Sequence, residues 1–170
     1  LYKRLIMNII IFGCGKIGIT IIESLSGEGH DIMAVDKDAK LVEEVTNIYD
    51  VMGLCGNGVD SDTMTEAGCA EADLFVAVTG SDELNMLSCF LARKMGTKNT
   101  IARIRNPEYN DNSLGFMKNH LDISMALNSD KMIAHEIYNI LRFPSAVGVE
   151  TFSGRDLLEI VHIAIKEDST

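Results

Sequence analysis

Between Asn8 and Asp36 the chain carries residue types at a spacing suited to holding a pyrophosphate and a ribose. An apolar run, Ile9-Ile10-Ile11-Phe12, enters Gly13-Cys14-Gly15-Lys16-Ile17-Gly18, and a second apolar run, Asp31-Ile32-Met33-Ala34-Val35, ends in Asp36. Gly13 permits a tight turn, Gly15 lets the backbone approach a pyrophosphate, and Gly18 lets the following helix pack closely on its strand. A helix starting near Lys16 then offers unpaired N–H groups to the anion. Asp36, at the tip of the second run, is placed to accept from the adenosine ribose hydroxyls, and its charge repels a 2′-phosphate, which favours NAD(H) over NADP(H). A strand-to-helix turn that merely needs small residues would explain the glycines. It would not explain a terminal acid in the expected order.

These residues need a sheet to position them. Met7–Phe12, Asp31–Val35, Asp50–Leu54, Leu74–Val78, Thr100–Ile104 and Ile123–Ala126 read as short strands. Lys16–Ser26, Asp38–Ile48, Ser61–Ala67, Glu83–Met95 and Pro107–Asn119 carry helical periodicity between them. Strands that are apolar throughout, separated by single helices, predict a parallel sheet covered on both faces. The fold class is α/β, a Rossmann-like doubly wound six-stranded sheet of order 3-2-1-4-5-6, with a ligand crevice at the carboxyl ends of the strands.

The residues after each strand are therefore the next candidates. Gly56-Asn57-Gly58 follows the third strand, and Asn57 is either a hydrogen-bonding group for ribose or base or a left-handed turn residue. Thr79-Gly80-Ser81-Asp82 follows the fourth. Here a hydroxyl and backbone groups can approach the central ribose and phosphates, while Ser81 and Asp82 suit the cap and first turn of the next helix. Arg103 and Arg105 close the fifth strand on one face by period two. Arg103 is the candidate for the crevice, and Arg105 for the surface or a domain contact. Lys16 either compensates phosphate charge or leaves its helix for solvent.

Composition excludes several classes. The 170 residues suffice for one typical domain and a small appendage. A net charge of −10, with no basic run, argues against a nucleic-acid partner. Lys3-Arg4 and the apolar run after it mimic a signal peptide, but the overlapping glycine motif makes this a decoy. No apolar run approaches the roughly 18 residues that span a bilayer. Leu1–Ile6, ahead of Met7, are expected to be foreign to the native start. Cys14, Cys55, Cys69 and Cys89 lack metal-ligand spacing and sit in or beside apolar segments, so buried free thiols are expected. His30, His120, His135 and His162 are scattered, and no metal site is expected. After Ala126, Asn128-Ser129-Asp130 can cap a helix running to Leu141 and stopped by Phe143-Pro144. Its stripe of Met132, Ile133, Ile137, Ile140 and Leu141 must cover either its own sheet or another chain. Val147–Phe152 and Leu157–Ile165 read as two strands, or as a strand and a helix.

Over Met7 to about Leu141 the chain resembles the RCK or KTN family of potassium-transport regulators. The resemblance rests on Ile10–Gly18, Val35-Asp36, Gly56-Asn57-Gly58, Ala67-Gly68, Ala72-Asp73, Ala77–Met86 and Ala102–Tyr109. It implies that Gly13, Cys14, Gly15, Lys16, Ile17 and Gly18 hold phosphates, Asp36 the ribose, and that Asn57, Thr79, Gly80 and Arg103 bind NAD(H), with ATP or ADP possible in the same site. Asn57 departs from the acidic residue common there and leaves the nucleotide preference open. The implied organisation is a nucleotide-binding domain over 7–128, a crossover helix over 129–143 that mediates dimerisation, and part of a small subdomain over 144–170, together a fragment of a longer protein. The implied role is regulatory rather than enzymatic. It belongs to a cytoplasmic homo-oligomer, dimer or tetramer, peripheral on the inner face of the membrane through a membrane-embedded Trk-type potassium transporter subunit. The rival class, a small NAD-dependent oxidoreductase, lacks room for a substrate domain, and Lys16, Lys37 and His30 all lie near the adenosine half. A third reading, a nucleotide-sensing domain of another potassium channel or exporter, differs only in its partner.

Overall fold

The computed structural model describes residues 6–109, 111–143, 146–152 and 158–163. The chain divides into two compact units, Leu1–Asn128 and Ser129–Thr170. In the first, β1 (Asn8–Phe12), α1 (Lys16–Ser26), β2 (Asp31–Asp36), α2 (Ala39–Ile48), β3 (Met52–Cys55), α3 (Ser61–Glu66), β4 (Leu74–Ala77), α4 (Asp82–Met95), β5 (Asn99–Arg103), α5 (Asp111–His120) and β6 (Met125–Leu127) alternate. The strands form one sheet of order β3-β2-β1-β4-β5-β6, parallel throughout. This is the Rossmann order expected from the alternation of apolar runs and helices.

Strand β1 shows why both faces must be covered. Successive side chains point to opposite faces, so Ile10 and Phe12 join a core with Met64, Phe75, Met86 and Ile104. Ile9 and Ile11 join another with Ile22, Ile32, Val45 and Val76. Each buried aliphatic or aromatic side chain contributes about 1.5–3 kcal/mol relative to exposure.

Three element boundaries depart from expectation by more than one residue, for local reasons. Strand β3 starts at Met52 rather than Asp50 because Val51 N–H bonds Tyr49 O at 2.9 Å, closing a three-residue turn. Strand β6 starts at Met125 because Asp122, at φ 55°, ends the preceding helix in the left-handed region, and Ile123 reaches the core from the loop. Helix α5 starts at Asp111 because Glu108 N–H bonds Asn106 Oδ1 and Tyr109 N–H bonds Asn106 O, a turn that occupies the expected first residues.

The second unit holds α6 (Ser129–Arg142), β7 (Ala146–Phe152) and β8 (Leu158–Ile163). The two strands pair antiparallel, so the strand-pair alternative holds. Pro144 and the ends of the expected final segment, Leu157 and residues 164 and 165, lie outside the described residues. Of the thiols, Cys14, Cys69 and Cys89 are buried and free. Cys55 corrects the expectation: it is exposed, because it ends the edge strand β3, which is largely open to solvent.

Candidate functional site

A cavity of about 460 Å³ opens at the carboxyl ends of β1, β2 and β4. Among the expected site residues, Gly13, Gly15, Asp36, Asn57, Thr79 and Gly80 line it. Phe12, Leu41, Val78 and Leu84 add apolar surface, and Lys37, Asp38 and Ser81 complete the wall. Apolar walls with a few convergent polar groups suit a base flanked by sugar and phosphate.

The glycine loop is built by close approach. Gly13 sits at φ 106°, and a Cβ there would lie 2.9 Å from Thr79 N. A Cβ on Gly18 would lie 1.8 Å from Gly13 O, so only glycine lets α1 start against the turn. At Gly15 a Cβ meets nothing within 4 Å; its surroundings are the open cavity. Helix α1 begins on Gly15 with no side-chain cap and no acid in its first turn. Helices α2, α3 and α4, by contrast, are capped by Asp38, Asp60 and Ser81. The free N–H groups and positive end of the α1 dipole are thus left beside the cavity, where an anion satisfies both.

Asp36 forms the β2 side of the crevice. Its Oδ2 accepts from Cys14 N–H at 2.7 Å and its Oδ1 from Asp38 N–H at 2.9 Å. An ionised carboxylate oxygen has two acceptor sites, so each oxygen keeps one for a ligand hydroxyl. Cys14 therefore contributes through its N–H to Asp36, while its buried thiol is pushed up to about 12, first by burial and then by the Asp36 charge. Asn57 is not left-handed: among the described residues the only non-glycine with positive φ is Asp122. Its Oδ1 accepts from Val59 N–H at 3.3 Å, and its amide protons remain available to a ligand. The flanking glycines serve packing, since a Cβ on Gly58 would lie 2.5 Å from the Phe12 ring and one on Gly56 2.4 Å from Thr63.

On the β4 side the Thr79 hydroxyl turns inward, bonding Asn85 Oδ1 at 2.7 Å. What Thr79 and Gly80 offer the crevice is chiefly backbone. Ser81 is the cap of α4, as expected, accepting from Leu84 N–H at 3.2 Å. Asp82 does more than sit in the first turn. It is buried, and its Oδ2 accepts from Arg105 N–H and Asn106 N–H at 2.8 and 2.7 Å.

Cys14, Lys16, Ile17, Gly18 and Arg103 do not line the cavity. Lys16 is exposed on α1, and Ile17 packs on the core. Arg103 is the last residue of β5, paired with Leu127 of β6. Arg105 instead lies in the loop beyond and lines a neighbouring open cavity of about 440 Å³ that shares Gly80 and Ser81 with the crevice. Its guanidinium donates to Gly80 O at 2.8 Å. Sequence reasoning also missed Asp38, whose signal was its place two residues after Asp36 at a helix start, and Asn85, which gave none.

Comparison with known proteins agrees with this fold. The TrkA-N domain matches residues 9–117. The Trk system potassium uptake protein TrkA homolog of Archaeoglobus fulgidus is 36% identical over 164 residues, covering 96% of this chain and 36% of that protein. The chain thus spans about a third of that relative's length. The TrkA-N domain of the Escherichia coli inner membrane protein ybaL superposes with a TM-score of 0.70 at 16% identity, covering 81% of this chain and 98% of that one. The GsuK channel bound to NAD superposes with a TM-score of 0.66 at 17% identity, covering 90% and 26%; GsuK is also known bound to ADP. With this match, and with the fold and crevice its motifs led one to expect, the chain belongs to the TrkA-N domain family.

Proposed function

We propose that the chain is the nucleotide-sensing module of a regulatory, non-enzymatic subunit that gates a membrane-embedded potassium transporter. The observation that carries this reading is the crevice, where an uncapped helix N-terminus and Gly15 stand beside the Asp36 carboxylate. The phosphates lie against Gly13–Gly15 and the N–H groups of Lys16, Ile17 and Gly18, the ribose bonds Asp36, and Asn57 donates to ribose or base. Gly80 approaches the phosphates, and any part for Arg103 comes at the β5 end. NAD(H) fits, and ADP or ATP shares the same contacts. A 2′-phosphate meets both Asp36 and Asp38. The lining acids and bases, Asp36, Lys37 and Asp38, all sit on the ribose side, which supports binding rather than proton transfer to a substrate.

In this reading the transporter is a separate membrane-embedded subunit; among the described residues no helix is long and apolar enough to cross a membrane. Helix α6 supports oligomer formation: Met132, Ile133, Ile137, Tyr138, Ile140 and Leu141 are all exposed, an apolar stripe suited to a second copy. Nucleotide then controls gating only if it binds one assembly state more tightly than the other. The test is rubidium flux through the transporter reconstituted with the full-length subunit. Nucleotide should change the flux with wild type and not with Asp36→Ala. Flux indifferent to NAD(H), ADP and ATP with the wild-type subunit contradicts the proposal.

A further inference from the structure

Asn85 is fully buried, at 0% exposure, on the inner face of α4. A buried carboxamide needs partners for two acceptor sites and two N–H protons, and the structure supplies all four. Its Oδ1 accepts from Thr79 N–H at 2.9 Å and from Thr79 Oγ–H at 2.7 Å. Its Nδ2 donates to Thr79 O at 3.3 Å and to Arg103 O at 2.9 Å. Flipping the amide would set N–H against N–H and oxygen against carbonyl, so the orientation is unique. One side chain thereby ties the ends of β4 and β5 to α4.

We infer that Asn85 is a positioning residue for the phosphate end of the crevice, acting through Thr79 on the glycine turn. Thr79 backbone is the surface against which Gly13 folds: a Cβ on Gly13 would fall 2.9 Å from Thr79 N and 3.1 Å from Thr79 Cα. With Thr79 held from behind, the Gly13–Gly15 turn has one conformation and the phosphate-facing N–H groups need no rearrangement on binding, which is the physical content of preorganisation. Asn85 itself has no hydrogen-bonding capacity left for a ligand. Its effect is therefore confined to the part of the nucleotide that touches the turn. The ribose and base side, built on Asp36 and Asn57, makes no hydrogen bond with Asn85 or Thr79: Asp36 holds Cys14 and Asp38 N–H, and Asn57 holds Val59 N–H. This inference rests on the nucleotide reading above.

The test compares ADP with adenosine by calorimetry on wild type, Asn85→Leu and Asn85→Asp, well below each variant's melting temperature. Asn85→Asp is isosteric and keeps the acceptor for Thr79 while setting a carboxylate oxygen against Thr79 O and Arg103 O, so it serves if Asn85→Leu does not fold. The expected result is a fall of at least about tenfold in ADP affinity, with adenosine affinity changed by less than about threefold. Thr79→Val, which removes one of the four bonds, should give a smaller loss of the same selectivity. Equal loss of both ligands marks a general structural role and overturns the inference, as does unchanged ADP affinity in a folded variant. If wild type binds neither ligand, the nucleotide reading itself falls, and the inference with it.

Discussion

The two sides of the crevice are each held by one polar side chain, and the two are opposites. Asp36 is charged, half-buried and part of the wall, and its carboxylate holds the N–H groups of Cys14 and Asp38. Asn85 is neutral, fully buried and behind the wall, and its amide meets all its partners within the protein. An ionised carboxylate buried as deeply as Asn85 would face carbonyl oxygens and carry a desolvation cost of several kcal/mol. A carboxamide in place of Asp36 would set its N–H protons against backbone N–H groups. The difference teaches that on the β2 side the supporting group is itself exposed to the crevice, whereas on the β4 side the support is separate and the wall is chiefly backbone.

The largest disruption should come where the two sides meet. Gly18→Ala places a Cβ 1.8 Å from Gly13 O, and is expected to destabilise the fold by on the order of 3 kcal/mol and to abolish nucleotide binding, read from urea midpoints and calorimetry. Asp36→Ala should come next, weakening NAD(H) binding about a hundredfold through loss of charged ribose contacts. It should lower the melting temperature by only a few degrees as Cys14 N–H loses its acceptor. Asp36→Asn sharpens the point: it should narrow the preference for NADH over NADPH, measured by competition. Ser81→Ala removes the cap of α4 and should cost about 1 kcal/mol with little change in nucleotide affinity, because the cap supports the helix rather than the turn.

The thiols separate the regions least but most cheaply. Burial pushes Cys14 on the Asp36 side and Cys89 on the Asn85 side each up to about 12, with Asp36 adding to the shift at Cys14. A thiol raised above its ordinary value near 9 contributes stability that is complete below that pH and is lost as pH rises toward 12. Urea midpoints should therefore fall between about pH 9 and 12, and less steeply for Asp36→Asn. At neutral pH, iodoacetamide on the folded chain should label Cys55 and spare Cys14, Cys69 and Cys89, as checked by mass spectrometry of peptides.

The sheet order was legible because β1, β2 and β4 are apolar runs closed by glycine or a helix cap, and the glycine loop because its residues are neighbours in sequence. What escaped reading depends on contacts across the sheet. Asn85 looks like any polar residue on a helix until Thr79 and Arg103 are seen around it. Arg105 reaches Gly80 O from the loop beyond β5, a contact with the end of β4 that spacing along the chain does not show. The Thr79 hydroxyl was expected to face the ligand, since nothing in its neighbours in sequence says that Asn85 takes its proton.

The most direct measurement is calorimetric titration of this chain with NAD, NADH, ADP and ATP, run beside Asp36→Ala, with melting curves to verify folding. The account requires saturable binding of at least one of these at one site per chain, and its loss in the folded variant. Binding that survives Asp36→Ala, or no binding by folded wild type, would contradict it.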